Sequence, residues 1–274
     1  MNYNKVFKNI ILGVSTKVIV ADFSNPEVLP MIVDKLEEFQ IDIGVLVNNV
    51  GLLGGHHMPF LELDRKTVVD MINVNITAGT YLCHALLPKM KEKRKGAIIN
   101  LSSTASLLYF PYLAEYAATK HYMTAFTRAI SAEYSEYGIT IQCIEPGQVT
   151  TEMTKHFEKI GDVSYFIELL IITEGSIIYC TKFSIVAYTF HLIKNISFQR
   201  SNGSLVEPLP DVYAKHALLT LGYRDQTTGY WPHSFFIRFL MCVFLGKNSM
   251  TMSFLKNSGE KMYQNALKEI QKKN

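Results

Sequence analysis

Tyr116 and Lys120 stand four residues apart in Tyr116-Ala-Ala-Thr-Lys120, within a stretch of helical apolar spacing. Side chains at that separation share one helix face, so the phenol and the ammonium project to the same side. A lysine's charge favours phenolate and pulls a tyrosine down from its usual pKa of about 10. Bringing it to about 7 takes roughly 4 kcal/mol of differential stabilisation, at 1.36 kcal/mol per unit. Such a tyrosine is a general acid or base poised near working pH. Alone, the pair is an ordinary helix-surface neighbour; its surroundings decide its meaning.

Asn100-Leu-Ser-Ser103 closes an apolar run 13 residues ahead of Tyr116. In an open parallel sheet ligands sit at the carboxyl ends of strands, where a serine hydroxyl can meet a substrate carbonyl. Asn48-Asn49-Val50-Gly51 ends the preceding run, and its small and amide residues let a ligand approach the backbone. Asn73-Val-Asn75 lies within a long helical pattern. Asparagine is a poor helix former, so two in three positions imply a local irregularity or a water held on a carbonyl. Pro146-Gly147-Gln-Val149-Thr-Thr151 leaves the next run as a turn that can lie against a flat ring.

The elements that must hold these groups alternate. Apolar runs at 17–21, 41–48, 96–102 and 138–144 read as strands, and 26–40, 63–93 and 113–137 read as helices. Continuously apolar strands separated by helices are buried on both faces, which means a parallel sheet with right-handed crossovers. The expectation is an α/β doubly wound sheet of about five strands, with 41–48, 96–102 and 138–144 at its centre and an exposed edge beyond. Three regions follow: a Rossmann-like catalytic core at 14–155, an apolar insert at 156–202, and a substrate, lid and membrane-proximal region at 203–274. Within the insert, 163–193 carries Glu168, Glu174 and Lys182. As a membrane span each charge would cost roughly 2.5–3.5 kcal/mol near the centre, so a buried insert is the better reading. Helices are expected at 211–221 and 257–274, with an apolar aromatic segment at 232–245.

Composition narrows the classes. Hydrophobic residues make up 48% of 274 and charged residues 19%, enough for a packed core. The net charge of +3 is spread out, without the concentrated basic stripe of a nucleic-acid binder. Cys83, Cys143, Cys180 and Cys242 are far apart, which suits neither a disulfide framework nor a zinc site and points to a reducing compartment. The first twelve residues mix lysines with apolar residues and do not read as a secretory signal. His56-His57 reads as a solvated loop pair, with no residue spaced to complete a metal site. Lys272-Lys273 reads as a solvated basic end rather than a retrieval signal.

Taken together, the motifs from Asp22 to Thr151 closely resemble the short-chain dehydrogenase/reductase family. The resemblance implies a catalytic tetrad of Asn75, Ser103, Tyr116 and Lys120. Ser103 would orient the carbonyl, Tyr116 donate the proton, Lys120 lower the tyrosine pKa and hold the ribose, and Asn75 fix a relay water. Asp22 would contact the adenine, Asn49 and Gly51 the ribose side of the cofactor, and Pro146, Gly147, Val149 and Thr151 the nicotinamide. Val50 after the paired asparagines, Glu152-Met-Thr-Lys155, Pro210-Asp-Val-Tyr-Ala-Lys215 and Thr228-Gly-Tyr-Trp-Pro-His233 look like the 17β-hydroxysteroid dehydrogenase type 3 and type 12 branch, which includes very-long-chain 3-oxoacyl-CoA reductases. That likeness implies an NADP(H)-dependent reductase of a 17-ketosteroid or 3-ketoacyl-CoA on the cytosolic side of the endoplasmic reticulum membrane. Membrane association and a homodimer come with it as candidates, and no nucleic acid.

The chain departs from the family in one respect that bears on chemistry. Its Gly-rich turn, TGxxxGxG, which places a pyrophosphate on a helix N-terminus, does not occur. Only 21 residues precede Asp22, whereas two strands and two helices with loops need at least ~40. The expectation is a sheet lacking the family's first two strands. The alternative reading is an inactive family remnant acting as a membrane-associated binding or interaction protein.

Overall fold

Four parallel strands in the order β1-β2-β3-β4 form one sheet in the computed structural model, which describes residues 17–107, 109–149, 151, 208–235 and 248–273. The strands are β1 (Val45–Asn48), β2 (Gly96–Leu101), β3 (Ile139–Ile144) and β4 (Gln226–Thr227). The helices are α1 (Val28–Glu38), α2 (Arg65–Ile72), α3 (Ala78–Glu92), α4 (Ala114–Tyr134), α5 (Pro210–Leu218) and α6 (Asn248–Lys273).

β2 shows why the sheet is covered on both sides. Successive strand residues face opposite ways, and Ile98 and Ile99 are both buried. Ile98 joins Cys83, Leu87 and Met90 of α3, Ile130 of α4, and Ile139 and Ile141 of β3. Ile99 joins Ile144, with Tyr213 and Ala217 of α5. Fully burying one such side chain stabilises by about 1.5–3 kcal/mol, so β2 anchors two helical layers at once.

Local chemistry sets the ends. The Asp64 carboxylate accepts the Thr67 N–H at 2.9 Å and caps α2. Pro210 opens α5, where its fixed φ suits the first helical position. Gly138 turns the chain into β3 at φ +67°, where a Cβ would lie 2.6 Å from the Arg94 carbonyl oxygen.

The predicted helix over 63–93 is two helices joined by a π-turn at Asn73–Thr77, the irregularity that the asparagines imply. Other expectations are corrected. The run at 17–21 has no ladder among the described residues, and Val20 is 85% exposed. An extended run becomes a strand only where a neighbour takes up its backbone groups. The 41–48 strand begins at Val45, and in the four described strands β1 is an edge rather than a centre. α6 starts ahead of the expected 257, and α5 ends at Leu218 rather than 221. The helix expected over 113–137 divides into α4 and a 3₁₀ turn, Ser135–Tyr137. Within 232–245 only 232–235 is described, as part of a helical turn at 231–235; the 163–193 segment lies outside the described residues.

β1 leaves Val45 and Val47 about half exposed at an edge of the sheet formed by the described strands, which invites strand-to-strand association. Val47→Lys should reduce concentration-dependent light scattering while changing unfolding free energy by no more than ~0.5 kcal/mol. Unchanged scattering would remove this edge as the association site.

Candidate active site

The carboxyl ends of β1 and β2 are tied side by side. Asn48 and Asn100 are register partners, and the Asn48 amide donates to the Asn100 side-chain oxygen at 2.7 Å. The Asn100 amide donates to the Thr127 hydroxyl at 2.9 Å, reaching α4. The loops that leave the sheet therefore start from one fixed line.

The π-turn asparagines hold two loops around β1. Asn75 is buried, and its amide pairs with both backbone groups of Leu52: the Leu52 N–H donates at 2.7 Å and the Leu52 carbonyl accepts at 2.9 Å. It also donates to Thr119 on α4 at 3.0 Å. This fixes the loop just past Gly51. Asn73 donates to the Ser24 carbonyl at 2.9 Å, and the Ser24 N–H in turn donates to the Asp22 carboxylate at 3.0 Å. Those Ser24 hydrogen bonds hold Asp22 below the usual carboxylate range. Among the described residues Asp22 makes no hydrogen bond to the tyrosine group; Asn49 is exposed and Gly51 half-buried at the end of β1.

Ser103, Tyr116 and Lys120 meet at the carboxyl end of β2. The Ser103 hydroxyl lies beside the Tyr116 phenol and acts to lower its pKa, and the Lys120 ammonium lies 5.7 Å from the Tyr116 ring centroid. Ser102 is buried beneath them and donates to the Lys120 carbonyl at 2.7 Å, which fixes α4 against β2. Lys120 is 5% exposed and donates to the Leu101 carbonyl at 3.0 Å. Burial pulls its pKa down to about 8. Burial pushes Tyr116 above its ordinary value, and the Ser103 hydroxyl opposes that shift. The lysine-driven lowering read from the spacing is therefore absent in this state. The ammonium faces a backbone carbonyl, and desolvation dominates.

Beside them, the turn at Pro146 and Gly147 is held from two directions. Thr104 N–H donates to the Pro146 carbonyl at 2.8 Å, and Gly147 N–H donates to Nδ1 of His233 at 3.1 Å. Val149 packs on the Ile99 and Ile144 cluster, and Thr151 is exposed. Glu145, immediately before the turn, is a buried carboxylate accepting from Ser106 at 3.1 Å, Thr124 at 2.8 Å and Gln226 at 2.9 Å. The sequence reading missed Glu145 as part of the site, and quoted His233 only as the end of a branch-like segment. Adjacency to Pro146 was the one available signal for the glutamate.

The histidine pair is not solvated. His57 is 7% exposed and burial holds it down at about 4, while His56 stacks on Tyr263 of α6 at 6.5 Å. No group of metal-binding side chains occurs among the described residues. α6 covers this loop: Tyr263 donates to Glu62 at 2.7 Å, and a Cβ at Gly259 would lie 2.6 Å from the Tyr112 ring. Tyr112 itself is held at φ +68°. It separates a cavity lined by Leu53, Met71, Leu113 and Tyr116 from a groove of about 510 Å³ lined by Pro59, Pro111, Met252, Ser253 and Lys256.

A family model described as short chain dehydrogenase matches residues 3–160. The human protein named inactive hydroxysteroid dehydrogenase-like protein 1 is 34% identical over 85% of this chain and 57% of its own length. The very-long-chain 3-oxoacyl-CoA reductase of Anas platyrhynchos is 33% identical over 81% of this chain and 58% of its own. The chain thus spans somewhat more than half the length of these relatives. A solved structure assigned as an NAD(P)-dependent gluconate 5-dehydrogenase from Beutenbergia cavernae, with NADP at low occupancy, superposes with a TM-score of 0.51. It is 26% identical, over 57% of this chain and 60% of that one.

The buried ammonium sets a pH test. Unfolded, Lys120 holds its proton up to the ordinary 10.5; folded, only to about 8. Its cost is therefore fully present below pH 8 and disappears as the pH rises through 10.5. Relative to the wild type, Lys120→Met should be more stable at pH 7 than at pH 10 by about 2–3 kcal/mol, at 1.36 kcal/mol per unit. Urea unfolding at both pH values measures it, and a pH-independent difference would contradict the depressed pKa.

Proposed function

Since the chain belongs to the short-chain dehydrogenase family, we propose that it is an NADP(H)-dependent oxidoreductase reducing a ketone of a lipid, a 17-ketosteroid or a 3-ketoacyl-CoA. The observation that carries the reading is the meeting of Ser103, Tyr116 and Lys120 at the carboxyl end of a buried parallel strand.

The residues present fit a nicotinamide cofactor. The Lys120 ammonium spends one of its three protons on Leu101 among the described residues, leaving donors for ribose hydroxyls. Lys120 with Tyr116 would hold that ribose, Asn49 and Gly51 would line its path, and Val149 and Thr151 would receive the ring, with Asp22 toward the adenine. When bound, NADPH supplies the hydride. The Ser103 hydroxyl donates to the substrate carbonyl and orients it, and Tyr116 gives its phenolic proton to the oxygen, which becomes the alcohol. The phenolate left behind is stabilised by the Lys120 ammonium, which at about 8 is charged at neutral pH. Reprotonation from solvent closes the cycle.

The groove beside Tyr112 supports a lipid substrate. Proline, tyrosine and methionine line most of it, with Lys256 as its one cation. Placement at the cytosolic face of the endoplasmic reticulum, and any homodimer, rest on the family resemblance. Among the described residues no helix is long and apolar enough to cross a membrane. The second reading, a catalytically silent binding protein, is favoured by the human relative's name.

Charge-assisted hydrogen bonds to a pyrophosphate are worth roughly 1.5–3 kcal/mol each, and two of them are several powers of ten in affinity. The 274-residue chain should therefore bind NADPH only weakly, by NMR or fluorescence titration. Adding a strand and a TGxxxGxG turn ahead of it should restore tight binding and reduction of one of the two ketone classes. In that extended enzyme Tyr116→Phe should abolish turnover and leave NADPH affinity nearly unchanged. Silence of the extended enzyme on both classes would favour the binding-protein reading.

A further inference from the structure

His233 is 3% exposed, lies 86 residues from Gly147 in the chain, and accepts the Gly147 N–H through Nδ1. That bond requires an unprotonated Nδ1, so the ring proton sits on Nε2. The ring has no freedom to wander. Its centroid lies 5.9 Å from Tyr213 and 5.1 Å from Tyr230, and Tyr213 is itself pinned by donating to the Thr228 carbonyl at 2.6 Å. Its neighbour Ser234 shares a 2.5 Å hydroxyl hydrogen bond with Thr228, directly after β4. The contact is close: a Cβ at Gly147 would meet three imidazole atoms at 3.0–3.1 Å. With Thr104 holding the Pro146 carbonyl on the other side, the peptide between Pro146 and Gly147 is clamped at both its polar ends.

We propose that His233 is a positioning residue for the nicotinamide, setting the Pro146–Gly147 turn whose continuation through Val149 and Thr151 receives the ring. This rests on the cofactor reading given above. It assigns to the far end of the chain a part in cofactor binding: β4 and the 231–235 turn deliver an acceptor to the loop after β3.

The test separates shape from chemistry. An asparagine places its amide oxygen near the position of Nδ1, whereas a glutamine places its amide near Nε2. In the full chain, His233→Ala and His233→Gln should weaken NADPH binding five- to tenfold, the loss of about one hydrogen bond, and His233→Asn should recover most of it. 2′-Phospho-ADP-ribose, which lacks the nicotinamide, should bind all four proteins alike. NMR titration reads these affinities into the millimolar range, and the Gly147 amide resonance reports whether its hydrogen bond survives. Equal weakening of both ligands, or no rescue by asparagine, would reduce His233 to a general packing role and overturn the proposal. If the wild type shows no NADPH binding at all, the cofactor reading falls, and this proposal with it. If the wild type binds but the variants match it, this proposal alone falls.

Discussion

The cleft depends on one obligation: polar groups buried at the carboxyl ends of the strands must be hydrogen-bonded. Asn48, Asn100 and Gln142 stand in the sheet among apolar neighbours, all buried. An unpaired buried amide costs on the order of 1–3 kcal/mol, so each must find a partner in register. Asn48 takes Asn100 and Asn100 takes Thr127, while the Gln142 amide donates to the Thr220 and Arg224 carbonyls and its side-chain oxygen is left without a partner among the described residues. A slip of one residue would turn every such group to the wrong face. The same bonds that protect the amides thus place the ends of β1, β2 and β3, and with them the loops bearing Asn49, Ser103 and Gly147.

From that line the site is built by backbone capture rather than by contacts among catalytic groups. Asn75 grips both polar groups of Leu52, Asn73 holds the turn after Asp22 through Ser24, Ser102 grips the Lys120 carbonyl, and His233 grips Gly147. Each bond crosses between elements far apart in sequence and fixes main chain, which leaves Ser103 and Tyr116 side by side at the open end. Such a site keeps its shape without a ligand, so little ordering entropy remains to oppose binding.

The sequence revealed local chemistry well and long-range partners poorly. Tyr116 and Lys120 were legible because a four-residue spacing has one geometric consequence on a helix. The π-turn was legible because asparagine resists the helix interior. The strands at 96–102 and 138–144 were legible because both faces are apolar. The run at 17–21 looked equally strand-like, yet strand formation depends on a neighbour that composition does not report. His57 looked solvated because nothing in a His-His pair announces that it is buried, or that Tyr263 of α6, two hundred residues later, stacks on His56. Glu145 and Gln226, 81 residues apart, share a buried bond that no spacing encodes.

The tyrosine shows how far geometry and charge can part. Its position is set, but burial raises its pKa and the lysine that should lower it is bonded to Leu101. Each group is shifted toward its neutral form, and desolvation is the largest cause of both shifts. A ligand offering acceptors to Lys120 would draw the ammonium off the Leu101 carbonyl and stabilise its charge. A positive ring near the turn at Gly147 would favour the phenolate from the other side. The free protein therefore holds Tyr116 protonated.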